Sequence, residues 1–408
     1  MSALTAGSPA DSLQAAGDRA MRLGDPRSAA GLFERAVDLD PGRLDIWIGL
    51  AACRRALGEP EAALGALERA LTLDPRCFPA LLMRGSLFES LKREKQAAVA
   101  YGRAIDVLPK DAPLAEPTRR ALAHAQEVRE RYTADLAGAL RRELGLSEAP
   151  RSPESKRLSV FIDAMAGRRK IYHQEPVGFH YPGLPAIEFF EREEFPWIED
   201  LEARTGAILG DLLGLGAAQS PELEPYINYP DSMPLDQWAD LNRSFNWSAY
   251  HLYREGEPIA AHCEACPATM AALAQIPQPQ VQRRSPTAMF SILQPGTRIP
   301  PHTGVANTRA VAHLPLIVPA DCGFRVGGDI RKVEKGVAWV FDDTIEHEAW
   351  NLSAEPRIIL IFDVWNPRLP EAEREVVARL MAAMDRFNRD EDIDPAPPWA
   401  VGAEGRVS

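Results

Sequence analysis

The sequence predicts a helical solenoid followed by a sandwich or barrel of short strands. Three observations carry this: a 34-residue repeat in the first quarter, six β-type segments between residues 247 and 365, and a Ser/Pro/charge-rich joint between the two parts. The chain has 408 residues, enough for two or three domains that bury their own cores. Hydrophobic residues make up 46% and charged residues 25%, which excludes disorder or a fibrous class for most of the length. The net charge of −12 lacks the electrostatic footprint of a nucleic-acid or anionic-membrane binder, so neither is expected as a partner.

The phrases AVDLDP, ALTLDP and AIDVLP end at Pro41, Pro75 and Pro109, each 34 residues after the last. Ala29, Ala63 and Ala97 share one repeat position, Ala36, Ala70 and Ala104 a second, and the bulky Phe33, Leu67 and Tyr101 a third. Small residues let two antiparallel helices approach, the bulky residue fills the adjoining gap, and proline stops the second helix. Gly17, Ala51 and Gly85 mark the matching approach on the first helix of each pair. The pattern is similar to tetratricopeptide repeats, which stack helix pairs around a concave binding surface. Thr118 to Leu144 is apolar at helical spacing and suits a capping helix, so the repeat domain is placed at 10–145.

GLSEAPRSPESKR marks a linker at 146–157, and a second domain is expected over 158–390. It opens with a Pro- and aromatic-rich stretch holding one helix, Pro196 to Leu213. Strands are predicted at WSAYHLYR, TAMFSILQ, AVAHLPLIV, GFRVG, VAWVF and RIILIFDVW, then a helix from Glu371 to Asn388 and a flexible tail over 391–408. Five cysteines are odd in number and too few for a disulfide framework. No signal-peptide pattern and no run of 18 apolar residues occurs, so a cytoplasmic setting without a membrane span is expected.

Within the β-rich part, His302 follows a Pro-Pro pair, His347 lies shortly after a predicted strand ending Phe-Asp-Asp, and Arg357 is ten residues beyond. Two distant histidines at strand ends with a following arginine fit a jelly-roll iron site. Neutral imidazole suits iron, and an arginine can grip a cosubstrate carboxylate with two hydrogen bonds.

SILQPGTRIPPHTGVANTRAVAHLPL, CGFRVGG and FDDTIEHEAWNLSAEPRIILIFDVWNP resemble the aspartyl/asparaginyl β-hydroxylase family of iron(II)- and 2-oxoglutarate-dependent dioxygenases. The resemblance implies a double-stranded β-helix (jelly-roll, cupin-like) domain. It implies His302 and His347 as iron ligands, Arg357 with Ser291 on the distal carboxylate of 2-oxoglutarate, and His313 at its metal-proximal end. Arg309 becomes a candidate for cosubstrate or substrate, and Arg325 for substrate. Most 2-oxoglutarate oxygenases place a carboxylate two residues after the first histidine; here that position is Gly304, as in animal members of this family. Iron halogenases use the same change to admit chloride, but the surrounding motif is hydroxylase-like. Asp343 is a candidate to accept a hydrogen bond from a ligand histidine, whereas Glu346 and Glu348 alternate away from the face that His347 uses.

By the resemblance, iron(II), 2-oxoglutarate and O2 together hydroxylate the β-carbon of aspartyl or asparaginyl residues in a peptide or protein, which the repeats recruit. The alternatives are the same chemistry on a fatty acyl chain or a free small molecule, and a non-catalytic repeat scaffold. The pair Cys263 and Cys266 beside His262 has no second cysteine pair and is read as structural.

Overall fold

The computed structural model describes residues 8–109, 113–146, 152–216, 221–230 and 232–390. Two compact units divide between Arg169 and Lys170. The predicted tail at 391–408 and residues 147–151 of the predicted linker lie outside the described residues.

The first unit holds eight helices among its described residues: α1 (Pro9–Arg22), α2 (Pro26–Leu39), α3 (Leu44–Ala56), α4 (Pro60–Leu73), α5 (Phe78–Ser90), α6 (Glu94–Val107), α7 (Glu116–Glu143) and α8 (Pro153–Met165). Helices α2, α4 and α6 each stop two residues before a repeat proline. Ala29, Ala36, Ala63, Ala70, Ala97 and Ala104 are fully buried, with Phe33, Leu67 and Tyr101 beside them. At Gly85 an added Cβ would overlap the Tyr101 ring, which explains the small residue there. The expected linker at 146–157 is corrected by α8. Ile162 and Ala166 pack with Ala137 of α7, and Arg141 bonds Asp163 at 2.7 Å. A Ser152 capping box starts this helix inside the Ser/Pro-rich string, so that string's composition did not mark the boundary.

The second unit contains β1 (Glu224–Pro225), β2 (Trp247–Arg254), β3 (Glu257–Pro258), β4 (Ala288–Leu293), β5 (Thr297–His302), β6 (Arg309–Ile317), β7 (Cys322–Val326), β8 (Asp329–Lys332), β9 (Trp339–Phe341), β10 (His347–Asn351) and β11 (Arg357–Trp365). One antiparallel sheet has the order β1-β2-β4-β11-β6-β9 with β3 on β2; the other is β5-β10-β7-β8. From β4 to β11 the chain crosses between sheets at nearly every connection, as in a double-sheet jelly roll. Ile299, Phe324, Val326 and Ala349 of the small sheet meet Trp247, Leu293, Trp339, Phe341 and Ile359 of the large one.

The large sheet's other face is covered by α9 (Ile198–Ala203), α10 (Thr205–Gly214) and α12 (Pro267–Leu273). The predicted helix over 196–213 is thus two helices, broken at Arg204. Burial of both faces explains why β11 reads as an almost continuous apolar run. Ile358, Leu360, Phe362 and Val364 join the core under the helices, and Ile359 faces the opposite sheet. The unit also holds α11 (Ala260–Ala265) and α13 (Glu371–Asp390).

Candidate functional site

Strand alternation builds one cavity on the inner face of the large sheet. On β11, Arg357, Ile361, Asp363 and Trp365 line it, and on β6, Arg309, Val311 and His313 do. Met289 and Ser291 of β4, His251 of β2, Asp343, and His302, Phe324, Ala349 and His347 from the small sheet add to the wall. The register pairs Ile361 with His313 and Trp365 with Arg309, so Arg357 and the Cα of Arg309 sit at opposite ends of a strand about 26 Å long.

The two histidines, expected at strand ends, lie on β5 and β10, which are not among the six predicted segments. β5 holds Pro300 and Pro301 and is an edge strand, where proline is tolerated. His302 and His347 are direct cross-strand partners with ring centroids 4.0 Å apart. His302 Nδ1 contacts Pro300 O at 2.8 Å, and His347 Nδ1 contacts Ile345 O at 3.0 Å. A ring nitrogen that donates to a carbonyl leaves the other as a lone-pair donor, so both rings present Nε2. Burial lowers the His302 pKa to about 4 and that of His347 well below the ordinary histidine range, so both are neutral near pH 7. Neutral nitrogen donors facing each other fit a metal ion.

Gly304 belongs to the same site. A Cβ there would overlap the Asp343 carboxylate, which fills the space where a side chain at 304 would begin. Asp343 is buried, its Oδ1 has no hydrogen-bond partner among the described residues, and Oδ2 lies 3.4 Å from Arg309. Burial pushes its pKa up to about 6, with Arg309 opposing. Among the described residues no group of three or more His, Cys, Asp or Glu is arranged to hold a metal, so a metal here would take two protein ligands. The expected bond from Asp343 to a ligand histidine does not form; both Nδ1 atoms contact backbone carbonyls instead.

The other end of the cavity is cationic. Arg357 is 1% exposed, yet its Nε and Nη1 have no hydrogen-bond partner among the described residues. Burial lowers its pKa to about 10, which leaves it charged at pH 7. His313 Nδ1 is likewise buried without a partner, and Ser291 is fully buried beside them. A buried guanidinium with unused donors is costly unless an anion completes it.

The structure thus brings His302, His347, Ser291, His313, Arg357 and Arg309 onto one cavity. Arg309 is held between two carboxylates, Asp343 and Asp363, the latter 3.9 Å away. Asp363, buried and bonded by Ser285 Oγ and the Thr287 N–H, escaped sequence reasoning; its sole signal was a lone acid inside an apolar strand. Arg325 is corrected. It is not on the cavity wall, and its guanidinium donates to Glu348, Glu346 and Gly327 O. Glu346 and Glu348 therefore face Arg325 rather than the histidine pair. Cys263 Sγ donates to Leu252 O, Cys266 is buried, and His262 stacks on Tyr250, which is a structural arrangement.

The comparisons agree with this division. The tetratricopeptide-repeat family matches residues 15–76 and 54–113, and the aspartyl/asparaginyl beta-hydroxylase family matches residues 221–367. Aspartyl/asparaginyl beta-hydroxylase of Mus musculus is 35% identical over 143 residues, 35% of this chain and 19% of that protein. Aspartate beta-hydroxylase domain-containing protein 2 of Xenopus tropicalis is 30% identical over 213 residues, 51% of this chain and 55% of that protein. Ornithine lipid ester-linked acyl 2-hydroxylase of Rhizobium tropici is 31% identical over 196 residues, 47% of this chain and 66% of that protein. The chain thus spans from about a fifth to about two thirds of the length of these relatives. With helical repeats ahead of it, the β unit of this chain carries the match to the aspartyl/asparaginyl beta-hydroxylase family over residues 221–367.

Proposed function

We propose that the β unit is an iron(II)- and 2-oxoglutarate-dependent dioxygenase that hydroxylates the β-carbon of aspartyl or asparaginyl residues in a peptide or protein. The observation that carries this is the pairing, in one cavity, of two neutral buried imidazoles with a buried arginine whose donors are unused. When bound, iron(II) and 2-oxoglutarate reduce O2, sending one oxygen atom into succinate and the other into the substrate C–H bond, with loss of CO2.

His302 and His347 would hold the iron through Nε2. Arg357 and Ser291 would grip the distal carboxylate of 2-oxoglutarate, and His313 would contact its metal-proximal end. Asp343, beside Gly304, would accept from a solvent molecule at the metal. Arg309, steadied by Asp343 and Asp363, would face the substrate at the other end of the cavity. The repeat unit, built of stacked helix pairs, would recruit the substrate protein on its concave face.

The same chemistry on an acyl chain is a second reading. It is favoured by the Rhizobium relative and by the apolar wall of Ile299, Val311 and Ile361 near the histidine pair. The full chain, loaded with iron(II) without oxygen and then exposed to it, should release succinate from 2-oxoglutarate, and His302→Ala or His347→Ala should abolish release. Equal succinate from wild type and both variants would falsify the oxygenase assignment. Mass spectrometry for one added oxygen, on peptide libraries against lipid extracts, separates the two substrates.

A further inference from the structure

We infer that Gln174 is a positioning residue for the metal site: its side-chain amide fixes the turn Asp342–Ile345, whose last carbonyl sets the ring of His347. This rests on the reading above of His302 and His347 as metal ligands. Gln174 lies ahead of the residues 221–367 that match the family.

The path starts at the ring. His347 Nδ1 contacts Ile345 O at 3.0 Å, and a neutral imidazole that donates there presents Nε2 as its lone-pair donor. The aim of that lone pair therefore follows the Ile345 carbonyl. Ile345 closes a turn: its N–H donates to Asp342 O at 3.2 Å, and Asp342 Oδ1 accepts from the Thr344 N–H at 3.0 Å and from Thr344 Oγ1 at 2.5 Å. Asp342 and Thr344 are fully buried, and a buried carboxylate is costly unless its oxygens are bonded. Oδ2 accepts from Gln174 Nε2 at 2.5 Å. The amide cannot be turned the other way, because a carboxylate only accepts. Asn307, whose Oδ1 accepts from the Tyr181 N–H at 2.7 Å, offers its Nδ2 to Gln174 Oε1 at 2.9 Å.

The backbone carries the same segment, residues 174–181, as a strap across both histidine-bearing loops. Gln174 bridges to Ile345, the Glu175 N–H donates to Thr344 O at 2.7 Å, and the Val177 N–H donates to Gly304 O at 2.9 Å. The strap thus ties the turn before His347 to the loop after His302, where the Gly304 N–H donates to Asp343 O at 2.6 Å. Gln174 touches both loops with one side chain, through Asp342 and Asn307. Without its amide, Asp342 keeps a buried charge with an open acceptor, the turn relaxes, and His347 loses its fixed aim.

The test titrates the full, metal-free chain with cobalt(II) under anaerobic conditions, since the visible absorption bands of that ion report ligand geometry without turnover. Gln174→Met keeps the length of the side chain and deletes the amide. It should weaken cobalt(II) binding about tenfold, the lower end for a partner that orients a metal ligand, and shift the bands. Tyr181→Phe is the control. It deletes the hydroxyl's bond to Glu373 at 2.6 Å, at the far end of the strap, and should leave affinity and bands at their wild-type values. Gln174→Glu covers a methionine variant that misfolds. A protonated glutamate reproduces the amide's donor and acceptor, whereas an ionised one repels Asp342. Its cobalt(II) affinity should therefore match wild type at about pH 5.5 and fall below it at about pH 8. Wild-type affinity and bands in Gln174→Met, an equal change in Tyr181→Phe, or a Gln174→Glu affinity that follows the wild-type pH profile would each overturn the role. If His347→Ala binds cobalt(II) as wild type does, the metal-ligand reading fails instead, a result distinct from those three.

Discussion

Gly85 in the repeat unit and Gly304 in the β unit each leave a space that a neighbouring side chain occupies, but the occupants differ in kind. At Gly85 it is the ring of Tyr101, whose hydroxyl bonds Glu89 at 2.9 Å. At Gly304 it is the Asp343 carboxylate, one oxygen of which is buried without a partner. The contrast extends across the two units. No described residue of α1 to α7 has a buried side-chain polar atom without a partner, whereas His251, His313, Asp343 and Arg357 all do, and all four line the cavity. The repeats spend their burial on packing; the β unit leaves polar groups unmatched where a metal ion, an anion or a substrate can complete them.

Arg357 gives the largest test of that difference. Arg357→Met should lower 2-oxoglutarate affinity more than a hundredfold, because the loss of a buried charged partner costs on the order of 3 kcal/mol or more. The same change should stabilise the metal-free protein by about 1–3 kcal/mol, since it removes a buried charge that has no partner until an anion arrives. Urea unfolding and calorimetry on one preparation read both signs. A variant less stable than wild type would show that the cation is structurally satisfied.

The second test uses acidity. Burial holds the His251 pKa at about 4 against an ordinary 6.5, and its Nδ1 has no partner among the described residues. The unfolded chain then takes up a proton near pH 6.5 that the folded one refuses until about pH 4. Its contribution is therefore complete above pH 6.5 and is lost as pH falls toward 4, by up to about 3 kcal/mol. His251→Gln should flatten the fall in urea midpoint between pH 6.5 and 4, measured without metal; an unchanged slope places the titration elsewhere.

Gly85→Ala probes the packing side. The added Cβ meets a buried ring rather than a flexible chain end, so Tyr101 must shift and the repeat unit should lose about 1–3 kcal/mol. Hydrogen exchange should rise in α5 and α6 and stay unchanged in β4, β6 and β11. Faster exchange in those strands would mean that the two units do not unfold independently.

How much of this was legible in the sequence follows from the same contrast. The repeats could be read position by position because each contact recurs 34 residues later, so Ala29, Ala63 and Ala97 report one another. The site has no internal copy. His302 and His347 could be picked out as residues, but their strands could not: β5 contains two prolines and β10 has five residues. Only cross-strand register makes them neighbours. Asp363 and His251 were invisible for a related reason, because strand alternation says that a residue faces inward but not which cavity it meets. The joint misled because a capping box and a linker draw on the same Ser, Pro and Glu residues.

Arg325 gives the smallest expected effect and the cleanest separation of residue type from placement. It stands one residue after Phe324, which lines the cavity, and alternation turns it to the other face of β7. There it pairs across to Glu348 and also reaches Glu346, so its charge is already matched. Arg325→Met should leave the affinities for 2-oxoglutarate and iron within twofold of wild type. It should also lower stability by about 1 kcal/mol, because both glutamates remain partly solvated and can recover water when the guanidinium is removed. A loss of cosubstrate affinity without a loss of stability would return Arg325 to the site and break the rule that separates arginines matched by carboxylates from those left unmatched.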